Sequence, residues 1–255
     1  MSRKFVFVLS VFTLLSFLLY VGFTLVEVKA TNGEVNILSH TGYLDSLGYY
    51  HVVGEVENVG DVALNFVKIT ATFYDESETV VGTDFTFTEL DSLLAGRKSP
   101  FDLFLLDTTQ SMKVNHYSLA VTYLVTSPKP IGLEILSSSS YIDGIGWMHI
   151  VGEIKNIGTV KATYVKIVAT CYDEMGKVVS ADFTFSDPSD INPAQRAPFE
   201  ILIEAERASF VSSYELSAES TQYALIPEFP SLVILPLFMI KTLLTVIVYK
   251  RKHIK

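Results

Sequence analysis

His51-Val52-Val53-Gly54-Glu55-Val56-Glu57-Asn58-Val59-Gly60 and His149-Ile150-Val151-Gly152-Glu153-Ile154-Lys155-Asn156-Ile157-Gly158 are nearly the same decapeptide, 98 positions apart. Sliding the chain by 98 aligns residues 37–107 with 135–205 without a gap, and 29 of those 71 pairs are identical. The alignment carries Tyr74-Asp75-Glu76 onto Tyr172-Asp173-Glu174, Asp84-Phe85-Thr86-Phe87 onto Asp182-Phe183-Thr184-Phe185, and Pro100-Phe101 onto Pro198-Phe199. Near its end the register slips by one, so that Tyr117 pairs with Tyr214. A period of this length is a whole duplicated domain, because solenoid units repeat every ~20–50 residues.

Periodicity supplies the nature of the repeated unit. From Val67 to Tyr74 polar and apolar residues alternate, which places Val67, Ile69, Ala71 and Phe73 on one face of a strand. The second copy has Val165, Ile167, Ala169 and Cys171 there. Phe85 and Phe87 repeat the pattern in the next strand. Turns are expected at Asn58-Val59-Gly60, Glu76-Ser77-Glu78 and Glu174-Met175-Gly176-Lys177. No helical stripe stands out between residues 31 and 226. The expected fold is all-β: two tandem immunoglobulin-like antiparallel β-sandwiches, residues 31–125 and 131–224, flanked by N- and C-terminal hydrophobic helices. Pro128 and Pro130 in the connector 126–130 predict an extended, stiff joint, with the modules as beads in a short rod.

The pattern Val53-Gly54-Glu55-Val56-Glu57-Asn58, then Ala71-Thr72-Phe73-Tyr74-Asp75-Glu76, then Pro100-Phe101, and its second copy, resemble the FxLYD domain of bacterial and archaeal extracytoplasmic proteins. That resemblance implies an immunoglobulin-like fold and a surface location. It implies no reaction and brings no catalytic residue.

Both ends are apolar. Residues 1–30 carry Arg3 and Lys4, an apolar run from Phe5 to Val26, and small residues Val28 and Ala30. These are the parts of a signal peptide cleaved after Ala30, or of an uncleaved signal anchor. In residues 225–255 an apolar stretch from Ser231 to Tyr249 is long enough to span a bilayer, and Lys250, Arg251, Lys252 and Lys255 follow it. Basic clusters stay cytoplasmic, so residues 31–226 are expected outside the membrane. Lys241 interrupts the stretch and either snorkels or pairs with a partner's carboxylate. Pro227-Glu228-Phe229-Pro230, the apolar span and the basic end together resemble the PEF-type C-terminal sorting signals of archaeal surface proteins. That resemblance implies processing by a sorting enzyme and exchange for a lipid anchor; a plain transmembrane anchor fits the same residues.

Residues 31–226 hold 26 acidic and 11 basic side chains, a balance that argues against nucleic acid as a partner. With Cys171 the only cysteine, no intramolecular disulfide forms. His51 and Glu55, like His149 and Glu153, are four steps apart on a strand, about 13 Å, too far to share a metal ion. Asp75, Glu76 and Asp84, with Asp173, Glu174 and Asp182, flank turns and read as solvated acids rather than a calcium site. Cys171 reads as core filling. Tyr49, Tyr50, Tyr141 and Trp147 read as sandwich packing or as an aromatic binding surface. No catalytic motif, metal site or cofactor is expected. The expected role is non-catalytic: binding, adhesion or envelope architecture, with membrane lipid, a sorting enzyme and a surface protein or glycan as partners. The alternative is an accessory subunit of a membrane complex such as a transporter, with Lys241 against a partner helix.

Overall fold

The computed structural model describes residues 32–226, and all of the expectations for the two apolar ends lie outside them. Among the described residues no helix is long and apolar enough to cross a membrane. The first repeat runs β1 (Val35–Leu44), β2 (Tyr50–Asn58), β3 (Ala63–Tyr74), β4 (Val80–Phe87), β5 (Ser92–Leu93), β6 (Lys98–Leu105), α1 (Thr108–Ser111) and β7 (His116–Thr126). The second runs β8 (Ile131–Ile142), β9 (Met148–Asn156), β10 (Lys166–Tyr172), β11 (Val178–Phe185), β12 (Arg196–Ile203), α2 (Ala205–Ala208), β13 (Ser213–Glu219) and β14 (Ala224–Leu225). The two single-turn helices went unforeseen. They fall where the repeat slips, since α1 and α2 start 97 residues apart while β2 and β9 start 98 apart.

The described residues are all-β apart from the two helical turns, with antiparallel sheets packed as sandwiches. In the first repeat β1-β2-β6 lie over β4-β3-β7, with β5 added beside β3. In the second, β8-β9-β12 and β11-β10-β13 are joined into one seven-stranded sheet by β14, which pairs antiparallel with β13 and parallel with β8. Between the sheets of each repeat lies its own core. One holds Val52, Val56, Ile69, Phe73, Phe101 and Leu103, the other Ile150, Ile154, Ile167, Cys171, Phe199 and Ile201. Val67, Ile69, Ala71 and Phe73 share the buried face as the alternation requires, and so do Val165, Ile167, Ala169 and Cys171.

The duplicated decapeptide is explained by what its residues touch. Gly54 and Gly152 lie under the rings of Phe101 and Phe199. A Cβ on either glycine would sit 2.6 Å or 2.5 Å from the ring, closer than any side chain tolerates. Asn58 and Asn156 are fully buried at the strand ends. Asn58 Nδ2 donates to the carbonyls of Val62 (2.8 Å) and Leu93 (2.9 Å), and its Oδ1 accepts from Gly60 N (3.1 Å). Asn156 repeats this with Val160 (2.9 Å), Ile191 (2.8 Å) and Gly158 N (2.9 Å). Each asparagine therefore ties two loops to the sandwich through their backbone groups, and satisfies its own buried amide in doing so.

The second repeat is closed by Tyr223. Its ring fills the space left by Gly132 and Gly158, where an added Cβ would come within 2.3 Å and 2.2 Å. Its hydroxyl accepts from the amides of Thr159 and Val160, both at 2.9 Å.

Phe85 and Phe87 alternate as read, but on the outer face: they are 54% and 45% exposed, and Phe183 and Phe185 likewise point outward. A period of two fixes which residues share a face and not which face is inside. The outward rings pack edge-on against each other at 6.0 Å in both copies, and Lys68 and Lys166 lie over Phe85 and Phe183. The repeats do not stand as separate beads. Lys129 Nζ binds Glu219 Oε2 (2.7 Å) and Ser220 O (2.9 Å), Pro130 O accepts from Ala224 N (2.9 Å), and the sandwiches meet across a broad face.

Candidate binding surfaces

That face is built from the outward positions of two sheets. β1, β2 and β6 of the first repeat present Ser39, Thr41, Tyr43, Val53, Glu55 and Asp102; β10 and β11 of the second present Lys166, Thr170, Tyr172, Val178 and Ala181. Val53, Tyr172 and Val178 form a buried apolar cluster, with Tyr43 and Ala181 packed against it. Fully burying such a side chain stabilises by roughly 1.5–3 kcal/mol. Polar groups fix the register. The Tyr172 hydroxyl donates to Glu55 Oε1 at 2.7 Å, and Lys98 Nζ stands 3.5 Å from Glu55 Oε2. Ser39 Oγ accepts from Val178 N (2.8 Å), and Thr41 Oγ1 donates to Val178 O. Lys166 Nζ binds Glu89 Oε2 at 2.8 Å. Arg207 lies over the Tyr43 ring at 4.0 Å while its guanidinium donates to Val179 O.

Burial pushes the Glu55 carboxyl above its ordinary value of 4.5, against the opposing pull of Tyr172 and Lys98. A carboxyl with a raised folded value binds protons more tightly when folded, so it lowers stability as pH climbs through the window between 4.5 and the folded value. Acidification across that window is expected to tighten the joint. Urea melts at a series of pH values check this: Glu55→Gln is expected to lose this component of the slope, and Glu57→Gln to keep it.

The histidines sit on the same outer faces. His51 Nδ1 is 3.1 Å from Asp102 and its Nε2 3.4 Å from Asp45, with the ring stacked between Tyr43 and Phe104. His149 lies 2.7 Å from Glu200 and 3.3 Å from Asp143 and stacks on Tyr141 at 4.6 Å. Carboxylate hydrogen bonds, that of Glu200 first, raise the His149 imidazole above its ordinary range. Glu55 is held by Tyr172 and Lys98 and Glu153 by Arg196, so neither is brought to its neighbouring histidine. Among the described residues no metal-binding group of three acids, histidines or cysteines forms.

The turn acids cap backbone. Asp75 Oδ1 accepts from Ser77 N and Thr79 N at 2.8 and 2.9 Å, and Asp173 does the same for Met175 and Lys177. Asp84 faces Ala71 across the β3–β4 ladder and binds Phe85 N, away from Asp75. Asp45 and Asp143 hold the amides of Tyr49 and Trp147 in the same manner. Tyr50 packs edge-on against Phe73, whereas Tyr141 is 51% exposed beside His149. Cys171 is fully buried, and desolvation pushes its thiol up to about 12. Iodoacetamide is expected to leave it unmodified in the folded protein and to label it in denaturant, as mass spectrometry would show; labelling under native conditions would mean that the core opens.

One feature had no forecast. Phe66 and Tyr164 occupy the same repeat position, both in left-handed backbone (φ 47° and 52°) and both largely exposed (62% and 67%). Their only sequence signal is an aromatic at matching places in the two copies, next to a strand whose alternation breaks. Phe66 meets Phe87 edge-on at 6.2 Å, extending the outer aromatic strip of β4. The strip borders a recess of about 610 Å³ lined by Asn65, Phe66, Phe87, Ser92, Thr126 and Lys129. Asn65 Oδ1 and Ser92 Oγ have no hydrogen-bond partner there. Aromatic rings beside polar groups suit a contact surface.

The expected anchor and processing residues, Ala30, Pro227, Glu228, Phe229, Pro230, Ser231, Lys241 and Tyr249, lie outside the described residues. No protein-family model and no curated protein matches this sequence. Among solved structures it is similar to a red sea bream transglutaminase at a TM-score of 0.24 and 9% identity, over 77% of this chain and 30% of that one. It is also similar to the Amycolatopsis orientalis exo-chitosanase CsxA at a TM-score of 0.26 and 12% identity, over 73% of this chain and 26% of that one. The chain thus spans less than a third of either enzyme, and likenesses this distant carry no inference about what it does.

Proposed function

We propose that this chain is a membrane-anchored extracytoplasmic protein whose two FxLYD-type, immunoglobulin-like modules act by contact and not by chemistry, in binding, adhesion or envelope architecture. The observation that carries this reading is the joint. The repeats are locked by the buried Tyr172–Glu55 bond and the Val53–Val178 cluster, while the duplicated outer faces and the Phe66–Phe87 strip stay open to solvent. Rigid sandwiches with exposed aromatic and polar faces are contact devices. The apolar ends supply the address: a signal or signal anchor at 1–30 and a membrane or lipid anchor after Pro227–Pro230. Lipid, a sorting enzyme at that motif, and a surface protein or glycan are the partners in this reading; nucleic acid is not.

Protease shaving of intact cells, followed by mass spectrometry of the mature protein, tests it. Residues 32–226 are expected to be released from the outside, with the N-terminus at or before Thr31 and the C-terminus defining which anchor is used. Shielding of the modules in intact cells would overturn the address. The second reading, an accessory subunit of a membrane complex, draws on Lys241 within its apolar stretch. It requires Lys241→Leu to abolish co-purification of membrane partners.

A further inference from the structure

The joint uses one face of each repeat, and the two faces are different. The outer β1-β2-β6 face of the first repeat meets the outer β10-β11 face of the second. Because the chain is duplicated, a second pair of the same faces remains: β8-β9-β12 on the second repeat and β3-β4 on the first. The groups that make the joint recur on this unused pair. Ser39, Tyr43, Val53 and Glu55 are matched by Ser137, Tyr141, Val151 and Glu153, with Thr41 as Ser139 and Lys98 as Arg196. On the opposing face Lys166, Thr170, Tyr172 and Val178 are matched by Lys68, Thr72, Tyr74 and Val80. The acceptor for the lysine is kept as well, Glu89 becoming Asp187, and both sit at the same step, each amide bound to the carbonyl of the equivalent proline.

Burial separates the used pair from the spare one. Val178 is fully buried and Val80 is 54% exposed. The carboxylate of Glu153 already has Arg196 beside it at 3.2 Å, as Glu55 has Lys98, but Glu153 is 43% exposed. Tyr74 ends β3 across a bulge from Val80, as Tyr172 ends β10 across a bulge from Val178.

We propose that a second copy of this chain docks its β3-β4 face onto the β8-β9-β12 face of the first, repeating between molecules the contact that each makes within itself. Tyr74 of the incoming copy donates to Glu153, Val80 enters against Val151 and Tyr141, and Lys68 meets Asp187. The contact is heterologous, so it leaves one free face at each end and builds an open row unless the rotation closes it into a ring. This inference goes beyond the proposed function and stands on the repeat alone, wherever the chain resides. The contact between copies is weaker than the one within a chain. Arg207, Glu215 and Glu219 have become Gln110, Ser118 and Thr122, Ser213 is replaced by His116, which stacks on Tyr74, and no connector raises the local concentration. It is accordingly a contact for crowded molecules.

The test uses the full chain in detergent and two distinguishable tags. One version carries Val80→Cys, the other Val151→Cys; native Cys171 is buried and silent. On oxidation a crosslinked dimer is expected from the mixture, and a ladder of higher species from a chain carrying both changes. Adding Glu153→Lys, a surface change, is expected to lower the yield about tenfold, because the incoming Tyr74 loses its acceptor and docking must desolvate two adjacent cations, the new lysine and Arg196. Sedimentation of the unsubstituted chain is expected to show growth with concentration that Glu153→Lys removes. The proposal is overturned if the mixture gives no more dimer than Glu76→Cys with Val151→Cys. It is equally overturned if Val151→Cys couples to itself, meaning a face-to-face pair, or if Glu153→Lys changes neither yield nor sedimentation, meaning that some other protein covers these faces.

Discussion

Asn156→Ala is expected to cost the second repeat about 3–5 kcal/mol, and Asn58→Ala the first repeat as much. Each deletion removes three hydrogen bonds inside a fully buried site and strands the carbonyl of Val160, or of Val62, while Ile191 O keeps Ala162 N and the amides of Gly158 and Gly60 keep Gly132 O and Glu34 O. A lost hydrogen bond costs roughly 0.5–1.5 kcal/mol and an orphaned buried carbonyl roughly 1–3 kcal/mol, and here three bonds go and one carbonyl is left without its asparagine. Aspartate is no rescue, since it lacks the donating nitrogen and adds a buried charge. Denaturant melts of the single variants and of Asn58→Ala/Asn156→Ala check this. A loss below about 1 kcal/mol would mean that water fills the vacated site and that the duplicated decapeptide was kept for another reason.

Val178→Asp is expected to open the joint while sparing both cores, and to turn one cooperative transition into two. Val178 belongs to the apolar cluster between the repeats and to neither sandwich interior. A carboxylate placed against Val53 and Tyr43 enters a fully buried apolar cluster, and the nearby Arg207 is already committed to Val179 O and the Tyr43 ring; burying a charge there costs several kcal/mol. The same change at the matching position, Val80→Asp, falls on a residue 54% exposed and is expected to shift stability by less than about 0.5 kcal/mol. Calorimetry and small-angle scattering distinguish the outcomes: two melting events and a larger radius for Val178→Asp, neither for Val80→Asp. Equal behaviour of the two variants would show that the repeats are not held by this face.

That pair of residues also shows where reading the sequence stops. Val80 and Val178 occupy matching positions in the two copies, as do Tyr74 and Tyr172, yet only the second of each is buried. Local patterning sees a strand and its alternating faces; it does not see that a neighbouring sandwich covers one copy and not the other. The alternation in β3 and β10 was legible because β-branched and aromatic residues recur there every second place. In β4 the same rhythm says that Phe85 and Phe87 share a face and not which one; they are outward rings stabilised by one another and by Lys68. The helices α1 and α2, at four residues each, are too short for any 3.6-residue rhythm to emerge. Asp107, which caps the first of them by accepting from Thr109 N and Gln110 N, was the one sign available.

The small closing strand β14 has a mechanical meaning. Any tension arriving from beyond residue 226 enters the body of the protein at Ala224–Leu225. This strand runs parallel to β8 and is stitched to that side by Ala224 N to Pro130 O (2.9 Å) and Ile226 N to Leu133 O (2.8 Å). A tug along the strand loads those two bonds in shear together, instead of peeling them one after the other. Tyr223, lodged immediately behind them between Gly132 and Gly158, acts as a toggle that must be dragged through the wall before either sandwich yields.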